Sequence, residues 1–324
     1  MEPVPVSRRR MALQFLVGGS SRDSFARMQA ESLYQRTLAV DSSSTALWWV
    51  RRGRSPLAAA MVYRNVGKTG MLLACPAAAE GVDVEQLVRL VRALSREEIH
   101  GGLSMIQTLL PTEAKPELIM LDRAGYHRLA QLVYLHLAVP LARGTPDTGE
   151  PALRSLGEAG TPAPRFHVAS EFPPRELEDV IRRSYEQSRD CPGLEGVRDV
   201  ADVVTGHRAS GLFSPESWWI VRVQDQSAGC LLLNESFSGE TGDIVYLGVT
   251  PEFRRRGLGR VMIQRAISHA QRVGWRRLSL AADATNSPAV VLYESFHFSV
   301  SHRRDAWIYT WKDATAGFSP ENGC

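Results

Sequence analysis

Residues 244–260 run Ile244-Val-Tyr-Leu-Gly-Val-Thr-Pro-Glu-Phe-Arg-Arg-Arg-Gly-Leu-Gly-Arg260. The apolar run to Val249 predicts a strand, and Pro251 ends it. Four arginines follow within seven residues, Arg254, Arg255, Arg256 and Arg260, with Gly257, Leu258 and Gly259 between them. An amphipathic helix begins at once, with Met262, Ala266, His269, Ala270 and Val273 on its apolar face and Arg265, Gln271 and Arg272 turned outward. Glycines let successive backbone N–H groups converge on one point, and a helix N-terminus adds partial positive charge. Strand, arginine-glycine turn and helix together predict an anion cradle suited to a pyrophosphate. The dinucleotide fingerprint fails because Met262 stands where its third glycine belongs. Gly67-Lys68-Thr69 is not a P-loop, since position 62 is Val; it predicts a hairpin turn.

Outward from this stretch, the chain repeats itself at a period of about 170 residues, a whole domain rather than a solenoid unit. Trp48-Trp49-Val50 and Trp218-Trp219-Ile220 start comparable strands. Each leads to a second strand (57–63, 228–233), a glycine turn, and a third strand (71–75, 244–249) closed by Pro76 or Pro251. A helix follows each; in the first half Leu87, Leu90, Val91 and Leu94 share one face. A strand (104–110, 277–281), a short helix (116–124, 287–295) and a last strand complete each half. That last strand alternates in the second half, with Trp307, Tyr309 and Trp311 on one side and Ile308 and Thr310 on the other. Prolines and glycines crowd residues 140–165. The expected division is a domain at 1–140, a linker at 141–164, a second domain at 165–312 and a flexible tail at 313–324. The expected class is α/β (α+β), each domain a mixed, mostly antiparallel sheet flanked by helices.

The 324 residues suffice for two cores, and 44% hydrophobic with 23% charged residues excludes wholesale disorder. A net charge of +3 gives no ground for expecting nucleic acid or an anionic membrane as partner. Cys75, Cys191, Cys230 and Cys324 form no C-x-x-C pair, so neither a disulfide scaffold nor a cysteine metal site is expected. Arg8-Arg9-Arg10 followed by residues 11–17 is too short a pattern for a signal peptide; it predicts a basic tail entering a first strand in a cytoplasmic protein.

The R-R-x-G-x-G run after a strand ending V-T-P-E resembles motif A of the GNAT N-acetyltransferase superfamily. Asn286-Ser-Pro-Ala-Val-Val-Leu-Tyr-Glu-Ser-Phe-His-Phe298 resembles that family's N-x-x-A-x-x-L-Y-x-x-x-G-F segment, with His297 in place of the glycine. The tandem layout is similar to that of two-domain members such as mycothiol synthase. The resemblance implies acetyl-CoA as co-substrate and no metal. It implies that backbone groups of Leu247, Gly248 and Val249 pair with the pantetheine arm. Arg254, Arg255, Arg256, Gly257, Leu258, Gly259 and Arg260 would hold the pyrophosphate, and Asn286 would touch the pantetheine region. Tyr293 would protonate the leaving thiolate, and Val249 N–H would steady the oxyanion. The cofactor would lie in a V-shaped opening where the third strand leaves the next.

An amine acceptor, small molecule or peptide, is expected over a polar segment whose Tyr185, Asp190 and His207 face it. For the general base, Asp243, Glu235, Asp283 and a water relay through Tyr246 all stay open. Residues 75–81 carry no arginine and one carboxylate, Glu80, so the first half is expected to be a degenerate copy. The competing functions are a non-catalytic acyl-CoA-binding or regulatory protein and an adaptor.

Overall fold

The computed structural model describes residues 1–21, 23–39, 44–140 and 163–316. Most of the linker, residues 141–162, and the tail from 317 lie outside the described residues. In chain order the elements are β1 (Glu2–Pro3), α1 (Arg9–Gly18), α2 (Ser24–Ala39), β2 (Thr45–Arg52), β3 (Ser55–Asn65), β4 (Thr69–Ala74), α3 (Val84–His100), β5 (Met105–Leu110), α4 (Lys115–Ala124) and β6 (His127–Ala138). There follow β7 (Arg165–Val168), α5 (Pro174–Tyr185), α6 (Val200–Ala209), β8 (Leu212–Val223), β9 (Gln226–Glu235), β10 (Thr241–Val249), α7 (Leu258–Val273), β11 (Arg277–Asp283), α8 (Ser287–Ser295), β12 (Ser299–Thr310) and α9 (Trp311–Ala316). The class is the mixed, mostly antiparallel α/β architecture that the sequence predicts.

Two compact units form. One holds residues up to 130 together with those from 304 onward; the other holds 131–303. Strand order in the first unit is β1-β2-β3-β4-β5-β12, and in the second β6-β11-β10-β9-β8-β7. Among the described residues, β4/β5 and β10/β11 pair in parallel, and the other pairings within each unit are antiparallel. Division in space therefore differs from division along the chain by an exchange of last strands. β6 pairs with β11, placing Val133, Leu135 and Leu137 in the second unit's core. β12 pairs with β5, placing Tyr309 in the first unit's core. Alternation reveals that a strand has a buried face but not which sheet receives it.

Three local expectations need correction. Residues 9–18 are helix, not a tail entering a strand: Ala12, Leu13, Phe15 and Leu16 are buried at helical spacing. β12 stops at Thr310, and Trp311 begins a helix with 44% of its surface exposed. Thr310 N–H and Oγ1 both donate to Asp313 Oδ2 at 2.7 Å, so T-W-K-D is a helix-starting box. Val273, the last residue of α7, is exposed, whereas Met262, Ala266, His269 and Ala270 are buried. The turn at 66–68 is the expected hairpin, with Gly67 and Lys68 left-handed.

Candidate active site

β10 forks away from β11. The two pair in parallel only at Thr241, Gly242 and Asp243. β10 stays on β9 through Val249, with an irregularity between Ile244 and Tyr246. A bulge there re-aims the strand and ends its pairing on the other side. Residues 244–249 thus leave one backbone edge without β11. Thr250 N–H donates to Ala228 O, toward β9, so strand alternation points the N–H and C=O of Val249 into the opening. Arg254 Nε donating to Val249 O at 3.1 Å confirms the direction.

Beyond the fork the chain turns into α7 without a side-chain cap. Gly257 is the N-cap, at φ 81, and no side chain accepts from the first helical N–H groups. Arg255 is also left-handed, at φ 60. Left-handed residues just before an uncapped helix start are the backbone geometry of an anion nest. The cradle is thus built by backbone, and its arginine side chains divide their roles. Arg256 lies 5.4 Å from the Phe253 ring and Arg260 4.9 Å from the Phe296 ring, and both stay at the surface. Gly259 packs tightly against α8: a Cβ there would meet Leu292 Cδ2 at 2.8 Å.

Arg254 does not aim at the cradle. Besides Val249 O, its guanidinium donates to Ser184 O (3.0 Å), Glu186 O (2.7 Å) and Gln187 O (3.2 Å). It belongs to the end of α5, and the expectation of a fourth phosphate-facing cation is corrected. Gly248 likewise has a packing duty. A Cβ there would meet Ser184 Oγ at 2.6 Å and Tyr246 Cε1 at 2.7 Å, where Tyr246 Oη and Ser184 Oγ share a 2.7 Å hydrogen bond.

Tyr293 is buried in the second unit's main core cluster, on α8, 5.8 Å from the Phe298 ring. Burial, then the charge of Asp190, raises its phenol well above the ordinary range, so it stays protonated. His297, at the position where the resembling segment carries glycine, is left-handed at φ 64. Asn286 is the N-cap of α8, and its side chain bonds Asp190 rather than an open face. Asp190 Oδ1 accepts from Asp283 N at 2.9 Å, and Asp283 Oδ2 accepts from Cys191 N at 3.3 Å. Asp283 Oδ1 also accepts from Thr285 N and Oγ1. Residues 190–191 and 283–286 are one knot of hydrogen bonds. Desolvation raises Asp190, but the surface that it keeps in contact with solvent limits the effect.

Of the three expected acceptor residues, Asp190 is bonded into the knot yet stays near enough to Tyr185 and Tyr246 for its charge to raise both phenols. Tyr185 and His207 both lie on Tyr246, with ring centroids 5.8 and 5.4 Å apart, while Asp190 joins the knot. Burial pushes Tyr185 up to about 12; burial and then Arg198 press His207 down to about 4. His207 Nε2 is buried with no hydrogen-bond partner. Sequence reasoning missed Ser184 and Arg198, since a serine at a helix end and an arginine in a loop have no spacing signature.

Among the open base candidates, Asp243 takes a hydrogen bond from Ser279 and is raised by burial. It sits at the root of the fork, and Glu235 pairs in register beside it with Gly242. Six strand steps of about 3.3 Å place that root about 20 Å from Val249, too far for proton transfer there. Asp283 is spent on the knot, so Tyr246 is the remaining candidate on the forked edge.

The first unit forks too, β4 pairing β5 only at residues 69–71, but β3/β4 has no bulge. Asp83 caps α3, its Oδ1 accepting from Gln86 N at 3.1 Å, and Glu117 Oε1 accepts from Ala77 N at 3.1 Å. Two carboxylates of the chain itself bond backbone N–H groups in the loop and helix start where the second unit is uncapped.

Comparison with known proteins agrees with this division. The acetyltransferase (GNAT) family model matches residues 182–298. Mycothiol acetyltransferase of Thermobifida fusca is 32% identical over 125 residues, 38% of this chain and 34% of that protein. N-alpha-acetyltransferase 60 of Xenopus tropicalis is 37% identical over 76 residues, 22% of this chain and 31% of that protein. The matches to the mycothiol acetyltransferases of Thermobifida fusca and Thermobispora bispora span about a third of those relatives' length. In fold, a GCN5-related N-acetyltransferase from Sphaerobacter thermophilus superposes with a TM-score of 0.53 at 18% identity, over 95% of this chain and 94% of that one. The glucosamine N-acetyltransferase region of a fungal multi-domain β-N-acetylglucosaminidase gives 0.58 at 12% identity, over 95% of this chain and 38% of that one. Residues 182–298, within the second unit, are thus the part of the chain that is similar to the GNAT acetyltransferase family.

Proposed function

We propose that the protein is an acetyl-CoA-dependent N-acetyltransferase whose second unit carries the activity, with an amine as acceptor. The observation that carries this reading is the forked edge of β10 ending beside the uncapped start of α7. A pantetheine arm is an extended chain of amides and pairs with a strand edge as another strand would. A pyrophosphate suits a helix start that the protein leaves without its own anion. Acetyl-CoA supplies the activated acyl group when bound.

The residues then have definite tasks. The N–H of Val249 points into the opening, where negative charge develops on the thioester oxygen, and a fixed backbone donor costs no reorganisation. The amine forms the new C–N bond as the C–S bond breaks, and the N–H proton that it sheds passes to water, which in turn restores the phenol that protonates sulfur. Tyr293, held protonated by burial, gives its proton to the departing sulfur. Tyr246, bonded to Ser184, stands on the forked edge beside Tyr185 and His207, and this aromatic wall receives the acceptor. The first unit is a degenerate copy whose Asp83 and Glu117 replace an external anion. Release of free CoA thiol from acetyl-CoA, followed over a panel of primary amines, tests the proposal; no release above buffer with any amine would count against it.

A further inference from the structure

Helix α5 ends at Tyr185, and the last carbonyls of a helix have no partner within it. Three carbonyls at this end, of Ser184, Glu186 and Gln187, are taken by one guanidinium, that of Arg254, 67 to 70 residues away. The same guanidinium holds Val249 O at the end of the forked edge. Its own backbone runs directly into the left-handed Arg255 and the uncapped start of α7. One side chain thus ties three things together: the anion cradle, the open edge of β10, and the helix end that carries Tyr185 and Ser184. A second tie between these segments, Arg183 to Glu252 at 3.1 Å, is exposed on the glutamate side and open to screening.

We infer that Arg254 is a positioning residue that makes the acceptor wall answer to the cofactor cradle. It rests on the proposed acetyl-CoA site. Any ligand that fixes the backbone at 255–257 fixes the base of Arg254, and a fixed guanidinium holds 184–187 in register against β10. Tyr185 and Ser184 then keep their places on Tyr246. Such linkage is reciprocal, and because the wall is already mostly ordered without cofactor, its return effect on cofactor affinity is small.

The test is amide hydrogen exchange of the full chain with and without CoA, paired with calorimetric CoA affinity, in wild type, Arg254→Gln and Arg254→Lys. Wild type should bind CoA and show residues 184–190 slowed by roughly tenfold or more on binding. Arg254→Gln should bind CoA within about threefold of wild type, since its side chain leaves the cradle's amides alone, yet lose the slowing at 184–190. Arg254→Lys restores positive charge at the helix end without the planar fork, and should recover only part of the slowing. It also serves if the glutamine variant does not fold. The inference fails if the slowing persists without Arg254. It fails equally if wild type binds CoA with no change at 184–190, or if Arg254→Gln loses CoA affinity by more than that threefold. Absence of CoA binding by wild type would remove the functional reading itself, and this inference with it.

Discussion

Asp83 and Gly257 are the N-cap residues of corresponding helices, and Asp83 bonds its helix with a carboxylate where Gly257 brings no side chain at all. Each helix follows a strand that forks from its parallel neighbour. One fold has therefore been finished in two ways: the first unit satisfies its helix start with its own carboxylate, and the second leaves it without a side-chain cap. Asp83→Ala should destabilise the protein by about 0.5–2 kcal/mol, the usual value of an N-cap, with no effect on CoA affinity. Gly257→Asp should weaken CoA binding by roughly tenfold or more by placing a like charge at the helix start. Chemical denaturation and calorimetry read the two effects, and equal CoA affinity in Gly257→Asp would contradict the site.

Tyr293→Phe removes one hydroxyl from a buried ring and little volume. If the phenol protonates the departing sulfur, kcat falls by about 10²–10⁴-fold while acetyl-CoA affinity barely changes. An unchanged kcat in single-turnover measurement assigns Tyr293 to packing alone.

Two glycines near the fork should respond differently. A Cβ on Gly242 would stand 2.0 Å from Trp275 Cε3, a rigid buried ring atom. Gly242→Ala should cost about 1–3 kcal/mol of overpacking. At Gly259 the obstacle is the far end of the flexible Leu292 side chain. Gly259→Ala should fold with a smaller loss, whereas Gly259→Glu should abolish CoA binding by charge and bulk. Thermal unfolding that ranked the two alanine variants in the opposite order would contradict the packing at the fork.

His269 sits among Trp219, Trp275 and Ser217, and burial, then Arg272 and Arg265, presses its pKa down to about 4. His207 is pressed to about 4 as well. The folded protein keeps both neutral, while the unfolded chain takes up protons near the ordinary pKa of about 6.5. Stability is therefore lost as pH falls from 6.5 toward 4, by up to about 1.4 kcal/mol per pH unit for each imidazole. Asp190 and Asp243, raised by burial, act in the opposite sense as pH falls through their folded values. His269→Gln should flatten the slope between pH 6.5 and 5 by about one proton. An unchanged slope in urea unfolding would show that His269 is not held neutral.

The elements of both halves were legible because strand and helix periods and turn residues are local. The left-handed, uncapped helix start was legible for the same reason: Gly257 and Gly259 mark a backbone turn just before a helix. Arg254 was misread because sequence shows an arginine among arginines, and only the fold brings Ser184, Glu186 and Gln187 to its fork. The hydrogen bonds of Asp190 were not legible, because a carboxylate in a polar loop gives no sign of Asp283 and Asn286, over ninety residues on. The exchange of β6 and β12 left no trace in the sequence, since either strand offers an apolar face to either sheet.

One backbone cradle per chain, in the second unit, is what the proposed function requires. Titration of the full-length protein with acetyl-CoA in a calorimeter measures it directly. One site per chain is the predicted result, lost in Gly259→Glu and kept in Asp83→Ala. Two equivalent sites per chain, or binding that survives Gly259→Glu, would contradict it.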